Sequence, residues 1–237
     1  MSRLPAILLG PVVLAQANAL RRATPLLDPP PQPWGGVAGG RPEGTGAAQR
    51  ILVIGDSTAI GTGVGAASES LGARVAARLS ALDGSAVVWH ATGHNGDTAA
   101  EVRRDFLPGV LRDLGGTDAP AGTAIVLVGW NDAMHLRSGR AFAADLTVLV
   151  RSLGARSRVL VVAAPHFERL AVLRQPLRLA LGSAAAGLRR EALAVCRREG
   201  ATLVPGFDGA STASDGFHPD AAGYDRMAAA VVTALAS

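Results

Sequence analysis

Five short, strongly apolar runs recur along the chain, and stretches with helical spacing of apolar residues separate them. In order, the runs are RILVIG (50–55), SAVVWHA (85–91), TAIVLVG (123–129), SRVLVVAAP (157–165) and ATLVPG (201–206). A continuous apolar run is typical of a strand that is buried on both faces. Strands of this kind that alternate with helices predict an α/β fold, a three-layer α/β/α sandwich around a five-stranded parallel sheet.

The helical stretches between the runs lie at 67–82, 98–114, 138–153, 175–199 and 219–236. We expect the second helix to be interrupted at Pro108-Gly109, because proline has no backbone N–H and its ring clashes with the preceding turn. Pro219 is expected to open the last helix, since proline suits the first helical turn.

Residues 4–20 form a mostly apolar run of 17 residues, which is at the lower limit for a membrane span. Three alternatives stay open for this segment: a cleaved secretory signal, a membrane anchor, or a helix packed on the domain. An anchor would associate the protein with a membrane. Arg21 and Arg22 outweigh Arg3, so the domain that follows would then face the cytoplasm.

Residues 21–49 hold six prolines and six glycines. This composition predicts an extended linker without a regular element. We therefore divide the chain into an apolar N-terminal segment (1–20), a linker (21–49) and one folded domain (50–237).

The basic residues exclude several classes of function. All 23 of them are arginines, so lysine-dependent phosphate loops and Schiff-base chemistry are excluded. The net charge is only +4, and few aromatic residues lie between the scattered arginines, which argues against a nucleic-acid partner. Cys196 is the single cysteine, and its helical context predicts a core thiol rather than a nucleophile.

Polar residues follow the predicted strands in four short blocks. GDS contains Ser57, GHNGD contains Gly96, GWND contains Asn131, and DGFH contains Asp215 and His218. In open parallel sheets, binding and catalytic residues lie at the carboxyl ends of the strands. We therefore expect these blocks to meet at one edge of the sheet.

The four blocks, in this order, resemble those of the SGNH or GDSL-type hydrolases over roughly residues 50–237. The resemblance implies a flavodoxin-like fold and a serine hydrolase that cleaves carboxylic esters without a cofactor or metal. The substrates that it implies are short-to-medium acyl esters or lysophospholipids, with acetylated sugars and thioesters as alternatives. A nucleotide-binding module is the alternative from a different class of function. The segment GTGVGA (61–66) would support it. That segment begins several residues after its strand, and no acidic residue ends the second strand.

The chemistry of the blocks agrees with the resemblance. Serine is a weak nucleophile and needs a general base, for which His218 is the candidate. Asp215 can accept the other imidazole N–H and stabilise the imidazolium. The backbone N–H groups of Ser57 and Gly96 and the side-chain amide of Asn131 can stabilise an oxyanion. We also expect the N–H of Ser57 to benefit from the dipole of a helix directly after it.

The remaining polar residues near the blocks receive structural interpretations. Asp56 and Asp132 are expected to brace their loops. No acidic partner is apparent for the four other histidines, which are His90, His94, His135 and His166.

One apolar set could form a wall for an acyl chain or could belong to the core: Phe167, Leu170, Leu173 and Leu177.

Overall fold

The computed structural model describes residues 4–40, 48–115 and 122–237, so parts of the predicted N-terminal segment and linker (1–3 and 41–47) lie outside it. Its sheet has six strands in the order β1-β3-β2-β4-β5-β6. Their bounds are β1 Gly35–Ala38, β2 Gln49–Gly55, β3 Val87–Gly93, β4 Gly122–Leu127, β5 Ser157–Val162 and β6 Thr202–Val204. The five predicted strands are confirmed as β2–β6, and the pairings among these five are all parallel.

Helices cover both faces of the sheet, which confirms the three-layer architecture. They are α1 Leu4–Ala23, α2 Leu71–Asp83, α3 Ala99–Glu101, α4 Leu107–Gly115, α5 Trp130–Met134, α6 Gly139–Gly154, α7 Leu177–Glu199 and α8 Ala221–Ala236. Helices α2 and α8 pack together, while α6 packs against α3, α4 and α7.

The central strands are buried on both faces, as their uninterrupted apolar sequences predict. Neighbouring residues such as Val53 and Ile54 on β2, whose side chains point to opposite faces, are both inaccessible to solvent. Helix α6 buries Leu146, Leu149 and Leu153, whose spacing places them on one side of the helix. The core therefore lies on both sides of β2 and β4 and fixes the strand ends rigidly.

Two helix boundaries differ from the prediction. The second helical stretch is not broken at Pro108-Gly109, which both lie inside α4. The interruption is a π-helical turn at Val102–Phe106, where the N–H of Leu107 bonds to the carbonyl of Val102. This wider turn precedes the proline and accommodates its ring and its missing donor.

The last helix begins at Ala221 rather than at Pro219. Asp220 caps it, since its carboxylate accepts a 2.9 Å hydrogen bond from the N–H of Gly223. Pro219 lies before the cap and forms a β-bridge with Thr212. A capping aspartate next to the proline was therefore the stronger signal for the helix start.

The segment 21–49 does contain a regular element, contrary to the expectation of an unstructured linker. Strand β1 pairs antiparallel with β3, and Gly35 lies opposite His90. This sixth strand was missed because β1 holds two glycines in four residues and its pairing partner lies far along the chain. The free edge of β3 supplies the hydrogen-bonding groups that this short strand needs.

Helix α1 packs on the domain. Val13, Ala17 and Leu20, spaced along one side of the helix, contact the core, and Gln16 hydrogen-bonds the backbone at the start of α7. Among the helices that the structure describes, none is long and apolar enough to cross a membrane. The structure therefore gives no support to a membrane span in residues 4–20.

We predict that Gly55→Ala destabilises the protein. A Cβ atom at position 55 would overlap with the carbonyl oxygen of Leu127 on the neighbouring strand. Because that atom belongs to the backbone, the clash cannot be relieved by a side-chain rotation. The free energy of unfolding should fall by about 1–3 kcal/mol in urea titrations. Gly65→Ala is the control, since a Cβ there meets no atom within 4 Å; equal stabilities of the two variants would contradict the prediction.

Candidate active site

Ser57 lies in a tight turn that follows β2. The N–H of Ala59 bonds to the carbonyl of Asp56, and the N–H of Thr62 bonds to the carbonyl of Ser57, both at 3.0 Å. Tyr224, which is fully buried on α8, donates its hydroxyl hydrogen to the carbonyl of Thr62 at 2.8 Å. The sequence analysis missed this tyrosine, which fixes the turn from the adjacent helix.

The expectation that a helix directly follows Ser57 was wrong. Residues 57–63 are a series of turns, and α2 begins only at Leu71. Gly61 and Gly63 have positive φ angles of 86° and 109°, which keep the chain out of a right-handed helix. No helix begins directly after Ser57, so no helix macrodipole strengthens its N–H as a donor.

The side chains of Ser57, His218 and Asp215 form one hydrogen-bonded series. The Oγ of Ser57 lies 2.8 Å from the Nε2 of His218, and the Nδ1 of His218 lies 2.5 Å from Asp215 Oδ2. The other carboxylate oxygen of Asp215 accepts from the N–H groups of Phe217 and His218 at 2.9 and 3.0 Å. The loop before α8 thus brings Asp215 and His218, which are three residues apart in the sequence, into contact.

Asp215 is ionised at neutral pH. Burial alone would raise the pKa of Asp215, but the hydrogen bonds from the His218 ring and from the backbone N–H of Phe217 outweigh it, and the pKa lies below its ordinary value. An ionised Asp215 accepts a hydrogen from Nδ1 of His218. The Nε2 atom is then free to accept the hydroxyl hydrogen of Ser57.

Trp130 lies against the ring of His218. The two rings are parallel to within 2°, and their centroids are 5.9 Å apart. Trp130 also contacts three phenylalanine rings, which are Phe167, Phe207 and Phe217. The sequence analysis named this residue only as part of the GWND block and missed its contact with the histidine.

The structure brings the loops of Gly96 and Asn131 together. The side-chain amide of Asn131 donates to the carbonyl of Asp97 at 2.9 Å, which leaves its second N–H for another acceptor. Gly96 has a φ of 92°, and a Cβ there would meet no atom within 4 Å. Glycine is therefore favoured at this position by its backbone conformation, and the space beside it is open.

Asp132 braces these two loops, as expected. It is fully buried and accepts hydrogen bonds from the N–H of Ala99, at 3.0 Å, and from the guanidinium of Arg137, at 2.6 Å. Arg137 also pairs with Asp145 on α6 at 2.8 Å. Burial nevertheless raises the pKa of Asp132 above its ordinary value.

Asp56 is the second buried carboxyl beside the turn. It accepts a 3.0 Å hydrogen bond from the N–H of Thr58, which agrees with the predicted bracing role. Burial raises its pKa to about 7, and the N–H of Thr58 and the charge of His218 only partly oppose this rise. Asp56 can therefore carry a proton near neutral pH.

Among the other residues, one expectation was wrong and one open alternative is decided. His94 and His166 do have acidic partners, since His94 lies 3.3 Å from Asp97 and His166 lies 2.7 Å from Glu168. The four residues considered as an acyl wall are all buried members of the core: Phe167, Leu170, Leu173 and Leu177. They cannot line an open groove in this structure.

The comparisons with known proteins agree with the site. A sequence model of the GDSL-like Lipase/Acylhydrolase family matches residues 53–226, which include all four blocks. The chain belongs to this family. The GDSL family comprises esterases and lipases, so the protein is a GDSL-type hydrolase. None of the curated proteins matches it significantly.

Solved structures of low sequence identity share the fold. A catalytic mutant of Axe2, an acetylxylan esterase from Geobacillus stearothermophilus, is 15% identical, with a TM-score of 0.62 over 81% of this chain and 96% of that one. Est24, a carbohydrate acetylesterase from Sinorhizobium meliloti, is 19% identical, with a TM-score of 0.59 over 79% and 98%. The psychrotrophic esterase EstA from Pseudoalteromonas sp. is 16% identical, with a TM-score of 0.58 over 79% and 97%.

We predict that Asp56 makes folding stability depend on pH. Its pKa is about 7 in the folded protein and 3.8 for an ordinary aspartate, so the folded state holds an extra proton between these pH values. Stability contributed by this group is present at low pH and is lost as the pH rises through about 7. Between pH 3.8 and about 7, each rise of one pH unit lowers the free energy of unfolding by up to roughly 1.4 kcal/mol.

Asp56→Asn tests this dependence, because asparagine keeps an acceptor for the N–H of Thr58 and does not titrate. The melting temperature of the variant, relative to the wild type, should be higher at pH 8 than at pH 5. A difference in melting temperature that stays constant over this range would show that Asp56 is not the group responsible.

Proposed function

We propose that this protein is a serine esterase in which Ser57 is the nucleophile, His218 the general base and Asp215 the acid that orients the histidine. The observation that carries the proposal is the hydrogen-bonded series from Ser57 Oγ through both ring nitrogens of His218 to Asp215. Membership of the GDSL family supports the same chemistry. The oxyanion donors in this proposal are the N–H groups of Ser57 and Gly96 and the side-chain amide of Asn131.

In the first half-reaction, Ser57 Oγ attacks the ester carbonyl while its proton passes to Nε2 of His218. The ionised Asp215 stabilises the imidazolium that forms, because its carboxylate lies 2.5 Å from Nδ1. The negative charge on the tetrahedral oxygen is stabilised by the three donors. His218 then returns the proton to the leaving alcohol, and an acyl-enzyme remains on Ser57.

In the second half-reaction, water replaces the alcohol. His218 removes a proton from the water, and the resulting hydroxide attacks the acyl carbonyl. The same three donors stabilise the second tetrahedral intermediate. Collapse of this intermediate returns the proton to Ser57 Oγ and releases the carboxylic acid. These steps use only side chains and backbone groups of the chain.

Short acyl esters are the substrates that the site supports best. The apolar residues that would have formed an acyl wall are in the core. Acetylated carbohydrates are the second candidate, since Axe2 and Est24 are named as acetylxylan and carbohydrate acetylesterases.

We predict that the full-length protein hydrolyses p-nitrophenyl acetate with saturation kinetics and that Ser57→Ala abolishes this activity. Activity should decrease from acetate through butyrate to octanoate, because the apolar residues that could have formed an acyl wall are buried in the core. Rates of nitrophenol release by the two proteins are the measurement. Equal rates in the wild type and the variant would contradict the serine mechanism, whereas a preference for octanoate would contradict only the short-acyl assignment. Acetylated xylan oligosaccharides then test the second candidate.

We predict that Asn131→Ala lowers kcat by about 10²–10³, because the transition state loses one oxyanion donor. The KM for the ester should change much less. Asn18→Ala on α1 is the matched control, since it removes the same side chain at a partly exposed position outside the four blocks. A kcat within twofold of the wild type for Asn131→Ala would exclude this residue from the oxyanion hole.

A further inference from the structure

We propose that residues 24–38, the N-terminal strap, position the oxyanion loop (residues 94–98) through the side chain of Asn95. This inference rests on the proposed function, because it assigns a positioning role toward the Gly96 N–H. It gives the segment first interpreted as a linker a direct part in the geometry of the site.

Asn95 joins three segments of the chain through its single amide group. Its Oδ1 accepts the hydroxyl hydrogen of Thr62 at 2.8 Å, and its Nδ2 donates to the carbonyl of Leu27 at 3.0 Å. Thr62 is fully buried and closes the turn that begins at Ser57. One side chain therefore connects the strap, the oxyanion loop and the nucleophile turn.

The strap is itself fixed to the domain, so it can hold Asn95 in place. Pro30 is buried, and its ring contacts the position where a Cβ on Gly61 would lie, at 3.4 Å. The indole N–H of Trp34 bonds to the carbonyl of Pro30, and the carbonyl of Trp34 accepts from the N–H of Ala91, both at 2.8 Å. The pairing of β1 with β3 continues this attachment along the sheet edge.

The oxyanion loop needs support on both sides of Gly96. On its far side, the carbonyl of Asp97 is held by the side-chain amide of Asn131 at 2.9 Å. On its near side, Asn95 directly precedes Gly96 and depends on Leu27 for the acceptor of its amide hydrogen. Without that acceptor, only the hydrogen bond from Thr62 holds the Asn95 side chain, and the Gly96 N–H can move. Displacements of about 1 Å in a catalytic donor can reduce a rate on the order of 10²-fold.

Asn95→Asp in the full-length protein separates the strap contact from the turn contact. Aspartate keeps an acceptor for Thr62 but places an oxygen against the carbonyl of Leu27. Asn95→Ala is the second variant and introduces no charge. Gln16→Ala is the matched control, because Gln16 also makes two hydrogen bonds from the N-terminal segment to the domain, at 2.8 and 3.1 Å, but at the start of α7.

We expect both Asn95 variants to lower kcat on p-nitrophenyl acetate at least tenfold with a smaller change in KM, and Gln16→Ala to stay within twofold of the wild type. Hydrogen–deuterium exchange should be faster in peptides that cover 24–34 and 94–98 in the Asn95 variants only. A merely structural contact would lower the melting temperature of all three variants without this selective loss of kcat.

The proposal is overturned if both Asn95 variants keep wild-type kcat, or if exchange in these peptides is unchanged. If Ser57→Ala retains the wild-type activity, the proposed serine mechanism fails, and the exchange measurement alone still decides whether Asn95 connects the strap to the oxyanion loop. If Ser57→Ala is inactive while the Asn95 variants match Gln16→Ala, only the positioning role fails.

Discussion

The parallel pairing of β2 with β3 and β4 determines where the polar loops of this hydrolase meet. Gly55 lies in register with Gly93 on one side and with Leu127 on the other, so the three strands end at the same level of the sheet. The backbones approach so closely that a Cβ on either glycine would overlap with the neighbouring strand. Ser57, the Gly96 loop and Asn131 therefore emerge side by side.

Three buried carboxyl groups lie around this edge, and they differ in the donors that surround them. Asp215 is ionised because the His218 ring and two backbone N–H groups hydrogen-bond to it. Asp132 is paired with Arg137 and with a backbone donor. Asp56 has the N–H of Thr58 as a donor, and burial dominates its pKa. Position relative to donors, rather than residue type, decides which acid carries charge next to the histidine.

The sequence predicted the parallel strands and the four blocks at their ends, because continuous apolar runs and residue order are local features. It could not predict contacts that depend on side-chain direction or on distant segments. One example is the set Phe167, Leu170, Leu173 and Leu177. Its spacing fits either a core face or a groove wall, and only the packing of the folded chain decides between them. The stacking of Trp130 on His218 and the hydrogen bond of Tyr224 to the turn at Ser57 likewise join distant parts of the chain.

The N-terminal strap shows why composition is a weaker guide than pattern. Many prolines and glycines indicate that a segment cannot form its own helix, but they do not indicate that it lacks tertiary contacts. The strap satisfies its backbone with groups from elsewhere, since Leu27 and Trp34 provide carbonyls to Asn95 and Ala91. Proline also restricts the unfolded chain, so fixing such a segment costs less conformational entropy than fixing a glycine–serine linker. A proline-rich segment is therefore well suited to support a distant loop, although the composition of the segment does not indicate that contact.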